Sequence, residues 1–169
     1  MKWGLVPFWS KDLNMGYKTF NARSETIHSK PSFRSAFRKQ RCLIPITGFY
    51  EWKRSEDRKT KQPYFFKHKS DEILSLAGIW ERWNGDGETN LFTCSIVTTT
   101  PNDLMSPIHD RMPVILTRED EYLWLSNESD KDSLKELMIP YKSDDLTCYP
   151  VSTLCNSTKI DVPECIEKI

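Results

Sequence analysis

The sequence predicts an α+β fold, mostly antiparallel sheet with an open barrel-like curl and short helices around it. Three observations carry that expectation. Segments rich in aromatic and β-branched residues recur through the first two thirds, most of them closed by a turn signal. The last third carries helix-start signals suited to short helices. No glycine-rich phosphate loop occurs, which disfavours a nucleotide-binding α/β fold.

The elements follow in order. Residues 3–7 read as a short apolar strand, and residues 21–26 as a second. Residues 31–38 read as a helix, with Ser29 as cap and Pro31 in the first turn, where its missing N–H costs nothing. Residues 42–46 and 47–52 are strand-like, interrupted by Pro45. A polar turn at 54–62 leads to strands at 63–67 and 73–83. The Asn84-Gly85-Asp86-Gly87 run then turns the chain, because Asn-Gly and Asp-Gly tolerate positive φ. Residues 91–99 should pair with 73–83, and 112–116 form a further strand. Thr117 with Asp120 resembles a capping box opening a helix through Trp124. Residues 133–139 read as a short helix stopped by Pro140, and 148–151 as a late strand.

The 169 residues fit one domain, 1–169, long enough to bury a core. No apolar run reaches the roughly 20 residues of a membrane helix. The five cysteines (Cys42, Cys94, Cys148, Cys155 and Cys165) include no Cys-x-x-Cys pair. A disulfide framework or zinc site is therefore disfavoured, and the thiols read as mostly buried. No metal or cofactor is expected. The 24 basic and 24 acidic residues cancel, which argues against a uniformly basic nucleic-acid binder. Their distribution is uneven, though. Lys30, Arg34, Arg38, Lys39 and Arg41 fall within twelve residues that contain no acid. A basic face and a plain solvated helix surface both remain open.

Three segments stand out chemically. In Asn21-Ala22-Arg23-Ser24-Glu25, the alternate residues Asn21, Arg23 and Glu25 would share one strand face, either lining a cleft or facing solvent at an edge. In Gly48-Phe49-Tyr50-Glu51-Trp52 the carboxylate is flanked by aromatics. Desolvation there would raise its pKa into the range useful for a general acid or base. The plainer alternative is a Glu facing solvent. In Pro107-Ile108-His109-Asp110-Arg111-Met112-Pro113, His109 is a natural proton shuttle and Arg111 a forked phosphate ligand. A structural His bonded to backbone is the alternative. Among six tryptophans, one or two near a basic cleft could stack on unpaired bases.

Together with Trp3-Gly4, Pro7, Trp9, Gln62-Pro63-Tyr64, Ala77-Gly78-Ile79-Trp80, Val97-Thr98-Thr99 and Pro150-Val151-Ser152, these segments resemble the SRAP family over nearly the whole chain. The resemblance implies a single β-rich domain with an open barrel that recognises abasic sites in single-stranded DNA during the DNA damage or SOS response. It implies crosslinking to those sites through an N-terminal cysteine, and a peptidase-like activity that exposes it. The open abasic sugar presents an aldehyde, an α-amine condenses with it, and the adjacent thiol closes a thiazolidine ring. By the same resemblance Asn21 orients the amine or sugar, Glu51 acts as acid and base, and His109 protonates the leaving oxygen or steadies the imine. Arg23 and Arg111 hold phosphates, Trp9 and Trp52 pack against bases, and Thr98 supplies a contact. The implied partner is abasic single-stranded DNA, with no nucleotide cofactor and no membrane, in a cytoplasmic setting associated with the nucleoid when on DNA.

Family members begin Met-Cys-Gly-Arg, whereas this sequence begins Met1-Lys2-Trp3-Gly4, so the crosslinking cysteine is expected to be missing from it. Three readings stay open: a fragment or late start, a short relative that binds without crosslinking, or imine formation by the Met1 amine or Lys2. Two other functions also stay open, a non-covalent single-strand binding module and a peptidase acting on N-terminal Met.

Overall fold

A computed structural model describes residues 1–55, 59–85, 87 and 90–169. The expected turns at 54–62 and at Asn84 to Gly87 lie partly outside the described residues. The fold is α+β, mostly sheet with few short helices, and neither of its two sheets closes on itself among the described residues. Chain contacts divide it into two compact units. The first comprises Met1–Pro45, Ser75–Thr99 and Pro113–Tyr141, and the second Ile46–Leu74, Thr100–Met112 and Lys142–Ile169.

The first unit is built on a seven-stranded sheet. Its strands are β1 (Lys2–Trp3), β2 (Asn21–Arg23), β3 (Arg41–Ile46), β6 (Leu74–Trp83), β7 (Leu91–Thr99), β8 (Met112–Pro113) and β9 (Ile115–Leu116). Strands β4 (Phe49–Arg54), β5 (Lys61–His68) and β10 (Leu146–Pro150) form the second unit's sheet. The order is β1-β7-β6-β3, with β2 and β8 also on β7 and β9 on β6. The expected pairing of β6 with β7 is present and antiparallel, Gly78 opposite Ile96 and Trp83 opposite Leu91. The short strands β1 and β2 run parallel to β7, with Ala22 opposite Val97 and Arg23 opposite Thr98.

Local chemistry explains where the elements depart from expectation. Strand β1 stops at Trp3, not Pro7, because Gly4 takes a φ of +104° and packs on Gly16, whose carbonyl oxygen would lie 2.5 Å from any Cβ there. Leu5 and Val6 are still buried, with the Val6 N–H donating to Thr93 Oγ1 at 2.9 Å. Pro45 sits inside β3, which ends the sheet order, the edge position at which proline is tolerated. Helix α1 covers Arg34–Lys39 rather than 31–38. Ser29 does not cap it but donates to the Thr26 carbonyl, and the segment before Arg34 runs as successive turns.

Helix α2 (Arg118–Leu125) has the expected capping box, Thr117 and Asp120 each accepting from the other's backbone. Helix α3 covers Lys131–Glu136, earlier than 133–139, because Asp130 caps it and accepts from the N–H groups of Asp132 and Ser133. The core of this unit brings α1, α2 and α3 onto the sheet through Phe37, Trp124, Leu134, Ile79 and Val97. Arg41 is buried there. It donates to the carbonyls of Phe37, Arg38, Trp124 and Ser126, tying α1 to the end of α2.

The second unit carries an antiparallel three-stranded sheet in the order β10-β5-β4, from β4 (Phe49–Arg54), β5 (Lys61–His68) and β10 (Leu146–Pro150). Phe49 stacks on its partner Phe66 with centroids 5.3 Å apart, and Tyr50 packs on Phe65. Gly48 precedes β4 because a Cβ there would strike the Phe65 ring and come within 2.6 Å of the Phe66 carbonyl. The cysteines form no disulfide. Cys165 alone is fully buried and the other four are half-buried, so the expectation of mostly buried thiols holds only in part. No described helix is long and apolar enough to cross a membrane.

Candidate functional site

In the second unit, β4 alternates its side chains, so Phe49 and Glu51 share one face and Tyr50 and Trp52 the other. Glu51 lies opposite Tyr64 on β5, and its side chain is only 23% exposed. Burial is the largest influence on it and pushes its pKa above the ordinary carboxylate value, with Asp110 adding to the rise. His109 and the Trp52 backbone N–H oppose it. The sequence expectation of a desolvated carboxyl is met.

His109 reaches this carboxyl from the loop between β7 and β8. The loop is pinned in successive turns. Asn102 accepts from Met105, Met105 accepts from Ile108 and His109, and the Met105 side chain is completely buried. His109 Nε2 stands 3.8 Å from Glu51 Oε2. That is close enough for strong electrostatic coupling and too long for a direct hydrogen bond, so neither group is consumed by the other. On the other side of the ring, the Arg111 N–H donates to Nδ1 at 3.0 Å. The Arg111 carbonyl also lies 3.0 Å from Nδ1, so this ring nitrogen meets a donor and an acceptor of the same residue. Asp110 Oδ1 lies 3.4 Å from Nδ1. The imidazole is thus held through Nδ1 by its own loop, with Nε2 turned toward Glu51.

Arg111 is half-buried beside His109 on the same loop. The Trp52 indole N–H donates to Asn156 Oδ1 at 2.7 Å, which fixes the ring. Asn156 was not singled out from sequence. It lies 104 positions away and carries no local signal.

The remaining expected site residues belong to the first unit. Asn21 and Arg23 are exposed on β2 around the completely buried Ala22, which is the alternation the sequence implied. Glu25 falls beyond the strand in a turn and does not continue that face. Thr98 is opposite Arg23 but only 8% exposed, with its carbonyl accepting from the Ser24 N–H. Trp9 is exposed on the turn at Pro7 to Ser10. No cluster of three potential metal ligands exists among the described residues.

The sequence profile of the SOS response associated peptidase (SRAP) family matches residues 1–158. The chain belongs to the SRAP family. It is 51% identical over 168 residues to the abasic site processing protein YoqW of Bacillus subtilis, covering 99% of this chain and 75% of that protein. It is also 32% identical over 197 residues to the abasic site processing protein HMCES of Rattus norvegicus, of which it covers 55%. A crystal structure of a protein from Bacteroides thetaiotaomicron superposes with a TM-score of 0.91 at 35% identity, covering 99% of this chain and 75% of that one. Within the SRAP frame, Glu51 and His109 are the titratable pair that the second unit brings together.

Proposed function

We propose that this protein binds abasic sites in single-stranded DNA, and that Glu51 and His109 move protons on the ring-opened sugar. The observation that carries the reading is the desolvated Glu51 carboxyl 3.8 Å from His109 in a pinned loop. The names of the relatives support the choice of substrate. A carboxyl held above the ordinary carboxylate value by burial is better able to carry the proton that the sugar ring oxygen takes as the ring opens to the aldehyde. Attack by an amine on C1′ gives a carbinolamine, and His109 in its cationic form gives a proton to the departing hydroxyl, releasing water and leaving the imine. Where the amine belongs to an N-terminal cysteine, its thiol adds to the imine carbon and its proton passes to the nitrogen, closing the thiazolidine. Arg111 is assigned to a neighbouring phosphate, and Arg23 and Asn21 to the strand and sugar.

The five internal cysteines cannot take this part, because their α-nitrogens are in peptide bonds. Burial also raises the thiol pKa of Cys94, Cys148 and Cys155, and, with Cys94 as a lesser influence, pushes the Cys42 thiol up to about 12. Non-covalent binding of the abasic strand is the second reading.

The test incubates abasic single-stranded DNA with two proteins, this chain and the chain preceded by the family's Met-Cys-Gly-Arg leader segment, and resolves the products on a denaturing gel. The chain as given should bind the abasic strand without a reductant-free covalent band, and the extended protein should form a heat-stable one. Glu51→Gln and His109→Gln should each slow the covalent step by roughly 100-fold. Absence of both binding and crosslinking with either protein would overturn the proposal. Binding that survives Glu51→Ala but weakens with Arg23→Ala or Arg111→Ala, without any covalent product, would favour the non-covalent module.

A further inference from the structure

The basic run at residues 30–41 divides in the first unit. Arg34, Arg38 and Lys39 turn outward on α1 toward an open groove that, among the described residues, no carboxylate lines. Arg41 turns inward. A smaller cavity of about 80 Å³ lies where α1, the head of β3 and the start of α3 meet. That is well above the roughly 10–15 Å³ that one water needs, and far below the roughly 300 Å³ at which pockets for drug-sized ligands begin. The cavity has the room of a small polyatomic ion.

Its polar lining is Arg38, Arg41, Lys131, His28 and Ser129, and the buried Phe37 and Leu134 supply its apolar lining. Among the described residues no carboxylate lines it. Arg41 is fixed there by its bonds to the carbonyls of Phe37, Arg38, Trp124 and Ser126. The two acids beside Lys131 are occupied elsewhere: Asp130 caps α3, and Asp132 pairs with Lys135 at 2.8 Å. Side-chain cations gathered around one cavity repel each other unless an anion joins them.

His28 supplies a second observation. Its Nδ1 is buried and, among the described residues, has no hydrogen-bond partner. An unpaired buried polar atom is rare in a folded protein and calls for an explanation. Burial, then Lys131 and Lys135, hold the imidazole pKa below its ordinary value, so the charges acting on the ring are cationic.

We infer that this cavity binds a phosphate-type oxyanion, held by Arg38, Arg41 and Lys131, with His28 Nδ1 hydrogen-bonded to one of its oxygens. Monohydrogen phosphate carries both acceptor oxygens and a P–O–H donor, so it satisfies Nδ1 in either tautomer of the neutral ring. A guanidinium fork matches two oxygens at once, and the ammonium adds a point charge. Free phosphate and a phosphomonoester offer the same group. Nothing in this cavity depends on the abasic-site reading, whose Glu51 and His109 lie in the other unit.

The experiment adds inorganic phosphate to the full chain, with sodium chloride at equal ionic strength as the reference. It follows the melting midpoint and the histidine ring signals by NMR. Phosphate at about ten times its Kd should raise the midpoint by roughly 3–6 °C. The chain has three histidines, and the His28 signals should shift along the same saturation curve. Arg38 and Lys131 are exposed, so Arg38→Ala and Lys131→Ala should melt normally in chloride. Each should weaken phosphate binding roughly tenfold. Equal stabilisation by chloride overturns the inference, as does phosphate binding indifferent to both substitutions. A shift confined to His109 also overturns it, because the ion then sits at the Glu51 site. Phenyl phosphate separates the two sources: weaker binding than inorganic phosphate assigns the cavity to the free ion, tighter binding assigns it to a phosphomonoester, and binding of neither overturns the inference. No DNA is present, so such a failure leaves the abasic-site reading standing.

Discussion

At the scale of single residues, Glu51 illustrates how function and stability oppose each other. Its carboxyl is held above the ordinary range chiefly by burial. The folded state therefore prefers the protonated form, so this group's contribution is most favourable below the unfolded carboxyl pKa and is lost as pH rises through the higher folded value. Glu51→Gln keeps the shape and removes the charge. It should raise the melting midpoint by roughly 2–4 °C at pH 7 to 8, with no gain near pH 4. A calorimetric pH series checks this, and the same variant should lose the covalent step. Arg41 shows the opposite case, a cation whose donors are satisfied by carbonyl groups alone. Arg41→Ala would leave those carbonyls unpaired, and a loss of about 3 kcal/mol in urea unfolding is expected.

At the scale of elements, the signals that proved reliable were those in which a side chain bonds to its own neighbouring backbone. The capping box at Thr117 and Asp120 is written in four consecutive residues and is present in the structure. Thr117→Ala should cost about 1 kcal/mol, read from the urea midpoint. Gly48 belongs to the same scale, because its role is to let β4 approach β5. Gly48→Ala forces a Cβ against the Phe66 carbonyl, which is backbone and cannot rotate away. The expected cost is about 1–3 kcal/mol. Activity should suffer too, since the shift falls three residues before Glu51. Elements were misplaced where distant contacts decided them. Helix α1 begins at Arg34 because Phe33 and Phe37 are drawn into the core, and no local cap marks that start.

At the scale of the whole molecule, each compact unit is assembled from three separated stretches of chain. Most of the order is therefore non-local, and folding should be slow relative to helical domains of this size. A fragment ending at Thr99 would retain β7 and lose Val114, Leu116, Trp124, Leu134 and Met138 from the core. It should show no cooperative melting and no near-ultraviolet dichroism from fixed aromatic rings, whereas the full chain should show both. Net charge belongs to this scale as well. The balanced total hides a groove that, among the described residues, is lined by three cations and no acid, so binding to DNA should be strongly salt-dependent despite a sequence pI near 6.8.

By itself the sequence determined the α+β class, the pairing of residues 73–83 with 91–99, the capped helix after Thr117, and membership of a family through motifs spread along the chain. These are properties of alternation, capping and local spacing, and neighbouring residues suffice to express them. It also marked Glu51 and His109 as candidates, one from its aromatic flanks and one from its place between prolines. Only the tertiary structure decided that these two, 58 positions apart, stand 3.8 Å from each other while Asn102 and Met105 hold the loop that brings them there. It alone separated the basic run into a buried clamp, Arg41, and an outward face on α1, and found Asn156 under Trp52. The physical reason is common to all three. Burial and hydrogen-bond partnership are set by chain segments far apart in sequence, and no local pattern encodes the distance between them.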